Sequence, residues 1–286
     1  MKFENSDYEY LDCCPWCASA QGDLWGNAVK GFESVLCRTC GLIYVKNRLN
    51  SSGLRKFYTE YLSSVHQVDP EKNEYRRIMY ELEFNFVHSY AQCTNVLDVG
   101  CSGGNFLDFF HAHGYKCFGV EFGEEAAAEA AKKYTLWVGD FTDLDFGRTF
   151  DLILFRGVIE HIPYPKKYLE KAAALLNETG LIFITSTPNS KALCCALFKE
   201  KWNQHEPEAH LMHFRADHFD KWFDANGFEK VDERLFYEET PYADPEADIL
   251  KVAEAIQLIR EKKEIGFTLP AFYGNMLSLI YKKPPT

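Results

Sequence analysis

The chain has 286 residues, 47% of them apolar, so it can bury a sizeable core and is not disordered by composition. Its formal net charge of −11 argues against long contact with a phosphate backbone, which makes nucleic acid an unfavoured partner. The opening "MKFENSDYEYLDCC" has no apolar signal core, and no window nears 18 consecutive apolar residues, so a cytoplasmic chain without a membrane span is expected.

Two CxxC pairs, Cys14-Pro15-Trp16-Cys17 and Cys37-Arg38-Thr39-Cys40, are separated by 19 residues. A two-residue gap lets both sulfurs of one turn face a single ion, and two such turns complete a four-thiolate site. Gly41 supplies the left-handed backbone that such a knuckle needs. The segment is too short and polar to hold a core alone, so a structural zinc would supply much of its folding free energy. This predicts a zinc ribbon over roughly 8–46, within a first domain of 1–48, ligated by Cys14, Cys17, Cys37 and Cys40. Unliganded buried thiols and a redox pair are the alternatives, and Cys13 could substitute for Cys14. Cys93, Cys101, Cys117, Cys194 and Cys195 read as small apolar packing residues.

Residues 49–94 read as amphipathic helices linking or covering two lobes. "SSGLRKFYTEYL" carries Leu54, Phe57, Tyr58, Tyr61 and Leu62 at helical spacing, and "NEYRRIMYELEFNFVHSY" repeats the pattern.

From residue 95 strands and helices alternate, which implies right-handed crossovers and a parallel sheet within a domain of 95–286. "NVLDVG" is a strand and Asn105 to His113 a helix stopped by Gly114. "KCFGVE" is the second strand, "GEEAAAEAAKKY" an alanine-rich helix, "TLWVGD" the third strand and "FDLILF" the fourth. Lys166 to Leu176 is helical and "GLIFITST" is the fifth strand. "RADHFDKWFDANG" is a helix whose core face is His218, Phe219, Trp222 and Phe223; "FEKVDERLFY" and "GNMLSLIYKK" are the last strands. Residues 240–270 form an insertion with a helix that could be a lid, a dimer contact or covering structure. Phe272 or Tyr273 is expected to line an acceptor pocket.

Ligands of such sheets lie beyond the carboxyl ends of the strands. There "VLDVGCSGGNFL" places Gly100, Gly103 and Gly104 where a ligand presses on backbone, before the free N–H groups of a helix. Glu121 ends the second strand, where a carboxylate can accept both hydroxyls of a ribose. Asp140 ends the third, in reach of an adenine edge, with Phe141 beside it to pack on the ring. Three strand ends thus suit one adenosine. A nicotinamide enzyme is the competing reading, but the loop is not GxGxxG.

"VLDVGCSGGNFL", "FGVE", "VGDF" and "FDLILFRGVIEHIPYPKKYLEKAAALLNETGLIFITSTPNS" resemble the successive motifs of class I S-adenosylmethionine (SAM)-dependent methyltransferases, over roughly residues 95–285. The resemblance implies a Rossmann-like α/β fold with a seven-stranded sheet whose last strand, Asn275 to Tyr281, is antiparallel. It implies SAM contacts from Asp98, Gly100, Ser102, Gly103, Gly104, Phe106, Glu121, Phe122, Asp140, Phe141, Phe155 and Arg156. Ser102 departs from the family's usual glycine. The head, "CPWC…CRTCGLIYVKNRLNSSGLRKFYTEYL", resembles the zinc-binding extension of a methyltransferase group that acts mainly on sugars and secondary metabolites.

Methyl transfer to a hydroxyl needs a base. His161 in "RGVIEHIPYP" lies, by the resemblance, beside the methionine moiety of SAM and is one candidate. His205 and His210 in "KWNQHEPEAHLMHFRADHF" are others. His205, His210, His213 and His218 invite a metal reading, yet there is no HExxH spacing. Similar zinc-bearing sugar C-methyltransferases carry a Tyr–His–Glu–His stretch here; this chain lacks the tyrosine, so O-methylation of a small polar acceptor is expected. C-methylation of a sugar, or modification of RNA or protein with the ribbon as a docking module, are the alternatives.

Overall fold

The computed structural model describes residues 3–65, 70–91 and 94–285, without the side chains of 59–70. Cys93, and the side chains of Tyr61 and Leu62, lie outside that description. In chain order the N-terminal part comprises β1 (Tyr8–Tyr10), β2 (Gly22–Leu24), β3 (Ser34–Cys37), β4 (Ile43–Val45), β5 (Asn47–Leu49), α1 (Ser51–Val65) and α2 (Pro70–His88). The alternating part follows as β6 (Asn95–Val99), α3 (Asn105–Ala112), β7 (Lys116–Glu121), α4 (Glu124–Ala127), β8 (Thr135–Val138), β9 (Phe150–Arg156), α5 (Pro165–Leu175) and β10 (Leu176–Pro188). The chain continues through α6 (Leu193–Phe198), β11 (Met212–His213), α7 (Ala216–Ala225), β12 (Glu229–Arg234), α8 (Pro245–Arg260) and β13 (Met276–Lys282).

The main sheet has the order β12-β13-β10-β9-β6-β7-β8. Strands β8, β7, β6, β9 and β10 are parallel, and β13 lies antiparallel between β10 and β12. This is the seven-stranded Rossmann-like sheet the sequence predicts. Its inner strands are buried on both faces, so alternate residues feed opposite cores, while the edge strands β8 and β12 stay partly exposed. Leu152 and Leu154 face α2 and α3 through Phe84, Phe106 and Phe110, whereas Ile153 and Phe155 face Leu169, Phe219 and Phe223. The crossovers reverse direction between β6 and β9, which opens a crevice beyond the carboxyl ends of those strands.

The cysteine-rich head does not stand apart. Strands β2, β3 and β4 form an antiparallel sheet, and β11, from far along the chain, extends it by pairing Met212 with Tyr44 and His213 with Ile43. Phe32, Val35, Tyr44, Val45 and Leu49 share one buried cluster with Ile153 and Phe219, so a single core runs from the head into the main sheet.

The alanine-rich segment departs from expectation. Its propensity favours one long helix, but only one turn, α4, forms, followed by a 3₁₀ turn at Ala130–Lys132. Ala130 is fully buried against the glycine loop and Tyr134 donates to Asp108 on α3, so packing tightens the chain where a straight helix would carry these residues away. In the insertion, Asp244 caps α8 by accepting from Ala247 N at 3.1 Å, and Pro245 opens the helix. Val252 and Ala255 pack α8 onto Cys194, Cys195, Phe198 and Trp202. Among the described residues no helix is long and apolar enough to cross a membrane.

Candidate functional site

The glycine loop joins β6 to α3 at the head of the crevice. Gly100 and Gly104 both have φ +78°, and a Cβ on Gly100 would come within 2.6 Å of Val158, so the fold itself requires glycine there. Gly103 is different: its φ is not positive, and an added Cβ would meet only Glu129 Cβ, at 3.9 Å. Neither backbone strain nor packing demands a bare residue at 103; the space above it suits a ligand pressed onto the chain. Ser102, the departure from the family pattern, adopts the left-handed conformation at φ +46°. Its N–H donates to Glu121 Oε2 at 2.9 Å, while Phe122 N donates to Oε1 at 2.8 Å. Glu121 thereby ties the loop to the end of β7 and retains lone pairs for the two hydroxyls of a ribose.

Below the loop, Asp98 is buried at the end of β6 and its Oδ1 has no hydrogen-bond partner. Burial pushes its carboxyl up to about 8, with Glu121 and Glu83 adding to the rise and Arg156 opposing it. Arg156, at the end of β9, donates to the buried Glu83 of α2 at 2.5 Å and lies over the Tyr80 ring at 4.4 Å. Glu83 also accepts from Thr185 and Ser186 at 3.1 and 2.6 Å. Three carboxyl groups around one guanidinium leave a place for a further cation, whose charge would favour the ionised form of Asp98. A ligand with a cationic sulfur and an ammonium, such as SAM, supplies it, and the orphaned Asp98 oxygen and the bare Gly103 backbone fit that ligand. The insertion brings Tyr242 within electrostatic reach of Arg156 and Glu83, and its ring meets Tyr75 at 5.4 Å.

Not every expected SAM residue reaches the crevice. Phe122 keeps its ring 42% exposed beside Glu121, under Arg55 at 5.4 Å. Phe141 is 1% exposed and packs on Phe146, Phe155 and Tyr168, so the ring expected to cover adenine belongs to the core. Phe155 faces that core too, and Phe106 is buried beneath Tyr80 and Arg156. These three support the site from behind, because strand and helix periodicity turn them inward. Asp140 Oδ1 accepts from Thr142 N and Oγ1, at 2.8 and 2.7 Å, and Tyr168 bonds to the same carboxylate.

At the far side of the crevice the candidate bases divide. His161 follows β9; its Nδ1 is 3.0 Å from Ala209 O and 3.0 Å from Tyr58 Oη. His210 meets His161 at 4.8 Å between ring centroids, and its Nδ1 is 2.7 Å from Gln204 O. His205 does not join them. It is buried beside Trp25, with Nδ1 2.9 Å from His213 Nε2, and serves the packing between the head and β11. Desolvation, with His210 adding, lowers His161 to about 3, and desolvation also lowers His210, so both imidazoles are neutral near pH 7. Sequence reasoning singled out neither Glu83, Tyr58 nor Glu160 as site residues. Glu160 alone had a signal, the Glu-His pair after β9; the other two reach the site only because α1 and α2 fold over it.

The four head sulfurs lie within 4.8 Å of one another, with Cys14 to Cys40 at 3.6 Å and Cys17 to Cys37 at 3.5 Å. A tetrahedral zinc with Zn–S bonds of about 2.3 Å separates its sulfurs by about 3.8 Å, so the set fits that ion. Burial pushes the Cys37 thiol up, but the N–H groups of Cys40 and Thr39 bring it down to about 7. Gly41 has φ +77°, as expected, and Cys40 O accepts from Arg215 and His218 at 2.9 and 3.0 Å, which locks the knuckle to α7.

A family profile described as a methyltransferase domain matches residues 54–233, well over half the chain. Curated relatives named ubiquinone biosynthesis O-methyltransferase match too. That of Nitrosococcus oceani is 26% identical over 132 residues, 43% of this chain and 52% of that protein. That of Coxiella burnetii is 32% identical over 107 residues, 34% of this chain and 46% of that protein. The chain thus spans about half the length of these curated relatives. Among solved structures, magnesium protoporphyrin IX methyltransferase from Synechocystis PCC 6803 with bound SAH aligns with TM-score 0.51 at 15% identity, covering 82% of this chain and 95% of that one. A SAM-dependent methyltransferase from Archaeoglobus fulgidus aligns with TM-score 0.51 at 18% identity, covering 73% and 94%. With the strand order, the bare loop and the orphaned carboxylate in agreement, this chain belongs to the methyltransferase-domain family and has the fold of SAM-dependent methyltransferases.

Proposed function

We propose that the protein is an O-methyltransferase that uses SAM to methylate a hydroxyl of a small polar acceptor, of the sugar, nucleotide-sugar or secondary-metabolite class. SAM, when bound, supplies a methyl group activated by a positively charged sulfur. The chain's task is to hold donor and acceptor in line, exclude water and take the acceptor's proton. Glu121 holds the ribose, Phe122 and Asp140 the adenine, and Asp98 balances the positive end. Tyr58, His161 and His210 border the space where the acceptor sits.

The observation that carries the reading is the state of His210. A backbone carbonyl has no proton to give, so the Nδ1 that faces Gln204 O at 2.7 Å carries the hydrogen, and Nε2 keeps its lone pair. That lone pair can take the hydroxyl proton as the O–C bond forms and the S–C bond breaks. The word O-methyltransferase in the relatives' names supports oxygen as the methylated atom. The net charge of −11 disfavours RNA. The four-thiol cluster supports a structural zinc, closed to substrate, that braces the head.

The test is a mass-shift screen of the purified full chain with SAM over nucleotide-sugars, phenolics and short RNAs, with fragmentation to locate the added methyl. A methyl on oxygen of a small acceptor is expected, with turnover depressed in His210→Asn. A methyl on carbon, or RNA as the only substrate, would overturn the proposal.

A further inference from the structure

We propose that Glu160, His161 and His210 bind a divalent transition cation, a second metal site distinct from the four thiols. One ligand atom from each of the three lies within 4.8 Å of the others. Their hydrogen-bonding partners leave each of the three a lone pair for an ion. His161 Nδ1 faces Ala209 O at 3.0 Å and His210 Nδ1 faces Gln204 O at 2.7 Å, so each ring carries its proton on Nδ1 and presents a bare Nε2. A backbone carbonyl behind each imidazole is the arrangement that orients a metal-ligating histidine.

Glu160 completes the set. It is 1% exposed and held by Thr187 Oγ1 on Oε2 at 3.2 Å, while Oε1 stands 3.9 Å from His161 Nε2. That gap is too long for a hydrogen bond but is spanned by an ion with bonds of about 2.1 Å to each side. Two nitrogens and one carboxylate suit manganese, iron or zinc better than calcium or magnesium, which favour oxygen donors. His161 keeps 24% of its side-chain surface open, so the cluster is not sealed from solvent.

The binding site stands on this geometry; its role rests on the proposed acceptor pocket. With a cation bound there, the acceptor oxygen would be coordinated and its pKa lowered, so the hydroxyl proton passes to water; in the cation-free protein the His210 lone pair remains the base.

The test is titration of the zinc-replete full chain with Mn²⁺, followed by electron paramagnetic resonance, without SAM or acceptor. Mn²⁺ is chosen because soft thiolates disfavour it. Saturable binding of about one Mn²⁺ per chain is expected, weakened at least tenfold in Glu160→Gln and in His210→Asn, with zinc content unchanged and SAM affinity within about threefold of the parent. Two variants guard against one failing to fold. Absence of saturable Mn²⁺ binding, or binding unchanged in both variants, would overturn the site. Because this readout needs no turnover, its failure is separable from failure of the acceptor screen, and loss of transfer on chelation would join the two.

Discussion

Replacing Gly103 by alanine separates a residue that the ligand needs from one that the fold needs. An added Cβ finds its nearest neighbour at 3.9 Å, an ordinary contact, and the backbone is outside the left-handed region. Folding should therefore be unharmed, and the lost freedom of the unfolded chain should add about 0.4–1 kcal/mol of stability. SAM pressed against the residue 103 backbone would meet the new methyl; overpacking of this kind costs about 1–3 kcal/mol, or roughly 5- to 150-fold in affinity. Isothermal titration calorimetry with SAM, beside thermal unfolding of the ligand-free variant, reads both quantities. Gly100→Ala is the contrast: with φ +78° and a 2.6 Å approach to Val158, it should lose stability before any question of binding arises. A Gly103→Ala protein that is stable and binds SAM within twofold of the parent would show that the donor does not lie on this loop.

The other predictions concern charge and metal. Glu121→Ala removes the acceptor of two ribose hydroxyls at about 1.5 kcal/mol each, so SAM affinity should fall about a hundredfold by calorimetry; unchanged affinity would contradict the ribose assignment. Stability should peak near pH 6.5. Burial lowers His161, His205 and His218 to about 3, 4 and 4, so protonation of the unfolded chain below about 6.5 takes stability away as pH falls. Asp98 and Glu160 are raised to about 8, so the native chain keeps protons the unfolded chain has lost, and their contribution drains as pH rises from about 4 to about 8. Scanning calorimetry of the ligand-free, zinc-replete protein should show that peak, with Glu160→Gln flattening the alkaline limb and steepening the rise between about pH 4.5 and 6.5; a melting temperature still climbing from pH 6.5 to 8 would refute the signs. Metal analysis of freshly reduced protein should find about one zinc per chain, lost in Cys14→Ser and in Cys40→Ser. Because the head shares its core with the main sheet, either loss should lower the melting point of the whole chain in one transition.

By itself the sequence determined the strands of the main sheet and the spacing of the cysteine knuckles. Continuous apolar runs such as "FDLILF" can be satisfied only between two covered faces, and CxxC spacing alone brings two sulfurs to one ion. The loop from Asp98 to Gly104 and Glu121 were legible for the same reason: local backbone demands and strand ends are written in consecutive residues. What only the tertiary structure decided depends on residues far apart. Phe141 and Phe122 look alike beside their acids, yet one is core and the other is exposed, because strand and loop direction, not residue type, sets which ring is exposed. His205 and His210 lie five residues apart, but the pairing of β11 with β4 turns His205 under Trp25 and leaves His210 against His161. Glu83 meets Arg156 across 73 positions of chain, and no periodicity records such a meeting; it exists because α2 is packed on the face of the sheet by its own apolar side.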